Sequence, residues 1–200
     1  MLVGEVKLEA LRLMFINMEK SLEVEDLINL YDDKNYAIYL QNMTGAINRA
    51  IDRINACKVL PTKSVSIGAT KDGELNCIDL SNISDLYEVI ALYNVEDKQP
   101  KLCEFTYLDS HTIVTTEECK NFKLSYYKKC AHISSSLNDN AVIDLPDEVA
   151  SIVPYYIKSD LYQDDNAVLA NDARNKFEQA LEELKGESFL KRTITRKFKL

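Results

Sequence analysis

The hydrophobic periodicity of this 200-residue chain changes twice, and these two changes constrain the fold more than any other feature. Apolar residues recur every three or four positions before Pro61, alternate with polar residues from Thr62 onward, and return to helical spacing after Asp144. The pattern predicts an α+β fold. We expect a helical bundle built from both ends of the chain, with a small antiparallel β domain inserted between them.

Three helical segments are expected before the β domain. The first covers about residues 3–18 and places apolar side chains among charged ones, and a shorter segment follows at 21–31. The third, over 34–57, has apolar residues spaced mostly three or four apart, which indicates one buried helix face. These residues are Tyr36, Leu40, Met43, Ile47, Ile51 and Ile54.

Short alternating runs within residues 61–143 predict the inserted β domain. Apolar side chains alternate with polar ones around Val65, in LYEVIALYNV and in LCEFTYL, and β-branched residues dominate 112–116. Turn-forming residues separate the runs, at 71–73, 96–100, 108–111 and 117–121. Such spacing is typical of a small antiparallel sandwich or barrel. The polar run 134–140 is expected to be the linker that returns to the helices.

Residues 144–184 predict a helical hairpin. Pro146 suits the first turn of a helix, where a backbone N–H has no intrahelical acceptor, and Pro154 is expected to kink that helix. The polar run 164–166 interrupts the apolar pattern with residues that cap helix starts, and a second helix follows. Because two apolar stripes joined by a short link bury each other, residues 1–60 and 144–185 are assigned to one helical bundle domain.

The final residues, 186–200, are assigned to a basic C-terminal arm. Gly186 suits a helix stop, and the segment beyond it is expected to be extended. One interpretation is a solvated, frayed terminus with no specific role. The other is an arm that docks on an acidic partner and becomes ordered on binding. The segment combines cations with apolar residues: Lys191, Arg192, Arg196, Lys197 and Lys199 with Phe189, Leu190, Ile194, Phe198 and Leu200.

No catalytic, cofactor or metal site is expected. The sequence has no glycine-rich phosphate loop, HExxH motif or nucleophile elbow, and only two histidines. Its five cysteines lack CxxC spacing, so reduced, mostly buried thiols are expected. Asp160, Asp164 and Asp165 are explained more simply by a capped helix junction than by a cation site. Cys130 and His132 would share one face of an expected strand, but nothing near them would lower the thiol pKa.

The charge balance and the apolar runs exclude two further classes of protein. A net charge of −8 argues against a surface that grips nucleic acid through its phosphates, although an acidic protein can surround DNA without holding it. The apolar runs are too short to span a bilayer, and the charged N-terminal segment is unlike a signal peptide. We therefore expect a soluble protein that is made in a cytoplasm.

Two long runs carry a resemblance to a known family. The C-terminal helices of head-to-tail connector proteins of tailed bacteriophages, the neck adaptors beneath the portal ring, are similar to the run LPDEVASIVPYYIKSDLYQDDNAVLANDARNKFEQAL. The first long helix of the same proteins resembles the run NYAIYLQNMTGAINRAIDRINACKVLP, and the middle of the chain is similar to their inserted β domain. The likeness covers most of the chain.

The resemblance implies a structural virion protein and not an enzyme. It implies an adaptor ring, expected to be a dodecamer in the virion neck, that joins the portal protein to a tail or nozzle protein and continues the DNA channel. Packaged DNA would pass through the lumen without specific binding, and no membrane is involved. Arms of this family clasp the portal, which gives the portal-binding set Phe189, Leu190, Lys191, Arg192, Ile194, Arg196, Lys197, Phe198 and Leu200. Tyr155, Tyr156 and Arg174 are expected at the subunit interface.

Alternatives from two classes stay open on the sequence alone. Within the same class, the chain would be a neighbouring neck or tail ring protein, such as a stopper or nozzle. From a different class, it would be a small cytoplasmic enzyme or binding module, which needs a pocket with convergent polar groups and perturbed pKa values. Complementary faces that pair between copies would instead favour a ring protein.

Overall fold

A computed structural model of the chain has an α+β fold with antiparallel sheets, which confirms that part of the prediction. It describes residues 1–15, 17–19, 21–96, 100–134 and 138–197, and only the backbone from 186 onward. The chain separates into two compact units. We call them the helical unit, Met1–Val59 with Cys130–Leu200, and the β unit, Leu60–Lys129.

Helix α5 lies at the centre of the helical unit, because α1, α3 and α6 all pack against it. Its Val153 and Ile157 have no exposed surface, as expected for a helix contacted from several sides. The helices of this unit are α1 (Val3–Met14), α2 (Leu27–Asp32), α3 (Ala37–Ala56), α4 (Asp147–Ala150), α5 (Val153–Leu161) and α6 (Ala167–Lys197), with a 3-10 turn at Val24–Asp26.

The single kinked helix expected over 146–161 is wrong, because two helices occupy this stretch. Helix α4 ends at Ala150, and α5 begins at Val153 with Pro154 in its first turn. Proline has no N–H to donate, and its ring collides with the carbonyl four residues earlier. The first helix therefore ends at Ala150, and a new helix begins at Val153, where Pro154 fits in the first turn.

Helix α6 continues past the glycine that was expected to end it. Asn166 caps its start, because the Asn166 Oδ1 accepts a hydrogen bond from the Leu169 N–H at 3.1 Å. The helix then runs for 31 residues to Lys197. One interior glycine such as Gly186 costs a helix only about 1 kcal/mol relative to alanine, which neighbouring turns can offset. The backbone of the expected extended arm is therefore helical as far as Lys197.

The β unit consists of two antiparallel four-stranded sheets, ordered β1-β8-β4-β5 and β2-β3-β7-β6. Both sheets contribute to one buried cluster, in which Ile78 and Ile113 of the second sheet join Phe122 of the first. Two sheets that share a core in this way form a sandwich. The strands are β1 (Thr62–Gly68), β2 (Thr70–Asp72), β3 (Leu75–Asp79), β4 (Leu86–Asn94), β5 (Lys101–Cys103), β6 (Thr106–Tyr107), β7 (Thr112–Thr115) and β8 (Asn121–Lys128).

Strands β2 and β3 were not expected from the sequence. At the start of β3 the usual pattern is reversed, because Asn76 is buried while Leu75 is 39% exposed. The Asn76 amide donates a hydrogen bond to the Glu117 carbonyl at 2.7 Å, which satisfies the buried polar group. The expected turn at 71–73 includes the start of the β2–β3 connection, where Gly73 has a φ of 61°.

Residues 130–143 group with the helical unit, although the β domain was expected to extend to residue 143. Two asparagines of α3 hold this return segment. Asn55 donates to the Cys130 carbonyl and accepts from its N–H, at 3.2 and 3.1 Å. Asn48 bonds Ile133 in the same way, at 3.0 and 2.8 Å. Side-chain amides thus replace a partner strand, which hydrophobic patterning cannot detect.

Candidate functional site

The first turn of α1 is held by the return segment. The Val3 and Gly4 N–H groups, which have no acceptor within a helix, donate to the Ala141 and Asp139 carbonyls, each at 2.8 Å. The Lys7 ammonium, fully buried, lies 2.7 Å from the Asp139 carboxylate and 2.7 Å from the Tyr31 hydroxyl. Burial and the charge of Asp139 raise the pKa of Tyr31, so its phenol stays protonated. This cluster is a fixed polar core that anchors α1.

A groove of 860 Å³ opens beside this anchored helix, and we call it the α1 groove. Side chains of residues 1–12, of residues 22–25 and of Asp147 and Ser151 line it. The apolar lining residues are buried or half-buried and form its floor: Leu2, Leu8, Leu22 and Val24. The acidic lining residues form its rim: Glu5, Glu9, Glu23, Glu25 and Asp147. The groove is therefore amphipathic.

Carboxylates outnumber cations around the α1 groove. Among the described lining residues, the cations are Arg12, which lies 2.6 Å from Glu9, and the Met1 ammonium, which lies 2.6 Å from Asp147. Glu5 accepts a hydrogen bond from the Leu2 N–H. Five carboxylates against two cations leave a net negative charge around an apolar floor. A ligand that matches both features carries positive charge and apolar side chains.

Gly4 sets how closely one wall of the groove approaches α1. A Cβ at this position would overlap Val24 Cγ1 and would lie 3.1 Å from both Leu27 Cδ1 and the Asp139 carbonyl oxygen. Only a residue without a side chain therefore lets the 3-10 turn and the return segment contact the first turn of α1 together.

Two of the three residues expected at the subunit interface, Tyr156 and Arg174, contact each other within the same chain. Tyr156 is 8% exposed, and its ring stacks edge-on against Phe177 with centroids 5.0 Å apart. The Arg174 guanidinium lies over this ring, 4.4 Å from its centroid. Tyr155 is half-buried, and Arg174 also keeps part of its side chain exposed. Tyr156 therefore belongs to the core between α5 and α6.

A charged network next to this ring joins α3 to α6. The Arg53 guanidinium lies 2.7 Å from Glu178, and Arg174 reaches the same carboxylate at 3.3 Å. The hydrogen bond from Arg53 lowers the pKa of Glu178 against the opposing effect of burial. Arg49 pairs with Asp160 of α5 through two parallel hydrogen bonds. These pairs fix how the helices face one another.

The expected portal-binding set lies at the end of α6. The backbone of Phe189, Leu190, Lys191, Arg192, Ile194, Arg196 and Lys197 is part of this helix, while their side chains, and Phe198 and Leu200 altogether, lie outside the described residues. Leu181 is buried, Leu184 is half-buried and Lys185 is exposed. At 1.5 Å per residue, the helix continues for about 18 Å beyond Lys185.

The structure does not bring together the Cys, His and Asp residues that could serve catalysis or metal binding. Cys130 is 1% exposed and does not lie on a strand, so the expected strand face shared with His132 is wrong. The His132 ring is instead exposed, 2.8 Å from Asp52. Asp160 pairs with Arg49, and Asp165 accepts a hydrogen bond from Tyr39. Within the described part of the chain, no group of three His, Cys, Asp or Glu side chains is arranged to hold a metal ion.

No family model and no curated protein matches the chain. Across the residues that the structure describes, no helix has the length and apolar character needed to cross a bilayer.

The α1 groove was not expected from the sequence. Its lining combines residues 1–12 and 22–25 with Asp147 and Ser151, which lie far along the chain, and only folding brings these stretches together. The one local signal is the run LEVE at 22–25, in which acidic and apolar residues alternate outside a regular strand.

Proposed function

We propose that this chain is a structural virion protein: an adaptor ring that joins the portal to the tail of a bacteriophage and continues the DNA channel. One observation carries the proposal. The two runs that resemble connector proteins form α3, α4, α5 and α6, and α3 and α6 both pack on α5 within one unit. Two resembling runs that lie far apart in the sequence therefore belong to one packed unit.

In this proposal the helices of the helical unit form the bundle that contacts the portal, and the β unit contacts the tail. Copies pack side by side through a heterologous contact that closes by rotation into a dodecamer, or into another neck ring if the chain belongs to the stopper or nozzle position. The negative net charge of −8 would let packaged DNA slide through the lumen. Lumen positions filled mainly by Lys and Arg would contradict this last point.

The end of α6 is the proposed portal-binding arm. Because the helix continues for about 18 Å beyond Lys185, it extends the reach of each copy past its last described apolar contact. Its cations and apolar side chains suit an acidic surface with apolar pockets. Many such arms acting together in a ring would bind far more tightly than one arm alone.

The test is the native mass of the purified protein, alone and mixed with the portal protein of the same genome. We expect a portal-sized complex for the full-length chain and a weaker complex for a chain that ends at Lys185. A full-length variant with Lys191→Glu and Arg192→Glu should weaken binding as well, because it reverses charge without removing length. Lys34→Glu with Lys71→Glu is the matched control, since both lysines are exposed and lie outside the arm.

A monomer that never shifts with any portal preparation would contradict the proposal. That outcome would favour a small enzyme or binding module instead.

A further inference from the structure

The α1 groove and the end of α6 have complementary chemistry. The groove offers an apolar floor and a rim on which Glu23 and Glu25 are both exposed. The last twelve residues, FLKRTITRKFKL, contain five cations, five apolar residues and no carboxylate side chain. Each therefore lacks what the other supplies: the groove needs a cationic, apolar occupant, and the segment needs an acidic, apolar surface.

The chemistry of the groove disfavours other occupants. Nucleic acid and phosphate ligands carry negative charge, which the carboxylates on the rim repel. The described part of the chain groups no set of side chains that could hold a cation there. A peptide segment that interleaves cations with Leu, Ile and Phe matches both the rim and the floor.

We propose that the α1 groove binds the C-terminal segment, residues 189–200, of a second copy of this chain. The second copy is favoured over the same copy by the continuity of α6. Phe177 and Leu181 anchor α6 in the core of its own unit, and the helix then runs without a break to Lys197. A segment that continues a helix in line is held away from a return to its own chain, whereas the groove of another copy is accessible to it.

A groove on one copy and a segment on the next make a heterologous contact. Such contacts generate a ring where the rotation between copies closes, and an open filament where it does not. The inference rests on the proposed function for its setting, and it names the contact through which free copies associate. In a copy bound to portal the segment has a different partner, so the groove contact belongs to the protein before it meets the portal.

Sedimentation of full-length protein without portal tests this contact through a charge exchange. One variant reverses the groove, Glu23→Lys with Glu25→Lys, and the other reverses the segment, Lys191→Glu with Arg192→Glu. Each variant alone should self-associate at least about tenfold more weakly than the natural chain, because repulsion replaces attraction at two rim charges. An equimolar mixture should restore association, because each reversed groove then meets a reversed segment.

The matched control is Asp72→Lys with Glu74→Lys, which makes the same change in charge at exposed positions of the β unit. It should leave association unchanged, and circular dichroism should show that every variant keeps its helices. The proposal is overturned if the groove-reversed chain associates like the natural one, if the mixture stays dissociated, or if the natural chain is a monomer at every concentration. The groove-reversed chain should still bind portal, so the two proposals fail separately.

Discussion

The helical unit and the β unit are each stabilised internally by a different kind of interaction. In the helical unit, ion pairs join separate helices and the return segment: Lys7 with Asp139, Arg49 with Asp160, and Arg53 with Glu178. In the β unit, the ladders connect neighbouring strands directly, and both sheets fill one apolar core. The backbone hydrogen bonds of a helix lie within the helix, so side chains determine which helices pack together. The backbone hydrogen bonds of a strand join it to the next strand, so the backbone itself makes that contact.

This difference predicts where each unit is vulnerable. The β unit should fail when its core loses volume, and the helical unit should fail when a buried charge loses its partner. Hydrogen exchange measured by mass spectrometry resolves the two units in one experiment, because protection can be followed separately in Leu60–Lys129 and in the remainder.

The largest expected effect is that of Phe122→Ala. Phe122 has no exposed surface and lies in the cluster that both sheets share, so the change should destabilise the β unit by about 3–5 kcal/mol. Protection should fall throughout Leu60–Lys129. Lys123→Ala at the next, exposed position is the control and should change little. Equal loss of protection in both units would show that the units do not unfold separately.

A loss of about 3 kcal/mol is expected for Asp139→Ala, because it leaves the fully buried Lys7 ammonium without its carboxylate. Protection should decrease first in α1 and the return segment. Adding Lys7→Met should recover part of the loss, since the double variant removes the buried charge as well. A double variant that is less stable than the single one would contradict this explanation.

Gly4→Ala should destabilise the helical unit by about 1–3 kcal/mol, because the new methyl overlaps Val24 beside the α1 groove. The matched control is Gly45→Ala on α3, where the nearest atom to an added Cβ is the Arg49 side chain at 3.4 Å. Alanine favours helix over glycine, so this control should be neutral or stabilising by up to about 1 kcal/mol. Urea unfolding of the two variants measures the difference.

The smallest effect concerns Glu178 and pH. The hydrogen bond from Arg53 holds the pKa of Glu178 below its ordinary value of 4.5, so the ionised form stabilises the folded state. This contribution is fully present above that pH and is lost as the pH falls through the lowered pKa. Glu178→Gln should therefore cost about 1 kcal/mol or less at neutral pH and nothing in strong acid. Urea unfolding midpoints of the natural chain and the variant, measured from neutral pH to strong acid, test the direction of this pH dependence. Glu182→Gln is the control.

Elements with strong periodicity could be predicted from the sequence, and elements fixed by single polar side chains could not. Helix α3 and strands β4 and β8 follow their apolar patterns closely. Strand β3 was missed because Asn76 is buried through a hydrogen bond, and the return segment groups with the helical unit because Asn48 and Asn55 bind it. Neither the hydrogen-bond partner of an asparagine nor the meeting of separate stretches in the α1 groove produces a periodic pattern in the sequence.

The C-terminal segment shows the same limit. Its charge and its apolar residues are plain in the sequence, but its backbone state was predicted wrongly, because Gly186 was given the role of a helix stop. Glycine ends a helix reliably only where the chain also needs a left-handed conformation.

The number of copies bound to each portal ring tests the adaptor proposal most directly. Native mass spectrometry of full-length protein saturated with its portal should give one copy for each portal subunit, in a single closed species. A portal ring that carries no copies, or a scattered distribution of a few, would contradict an adaptor ring.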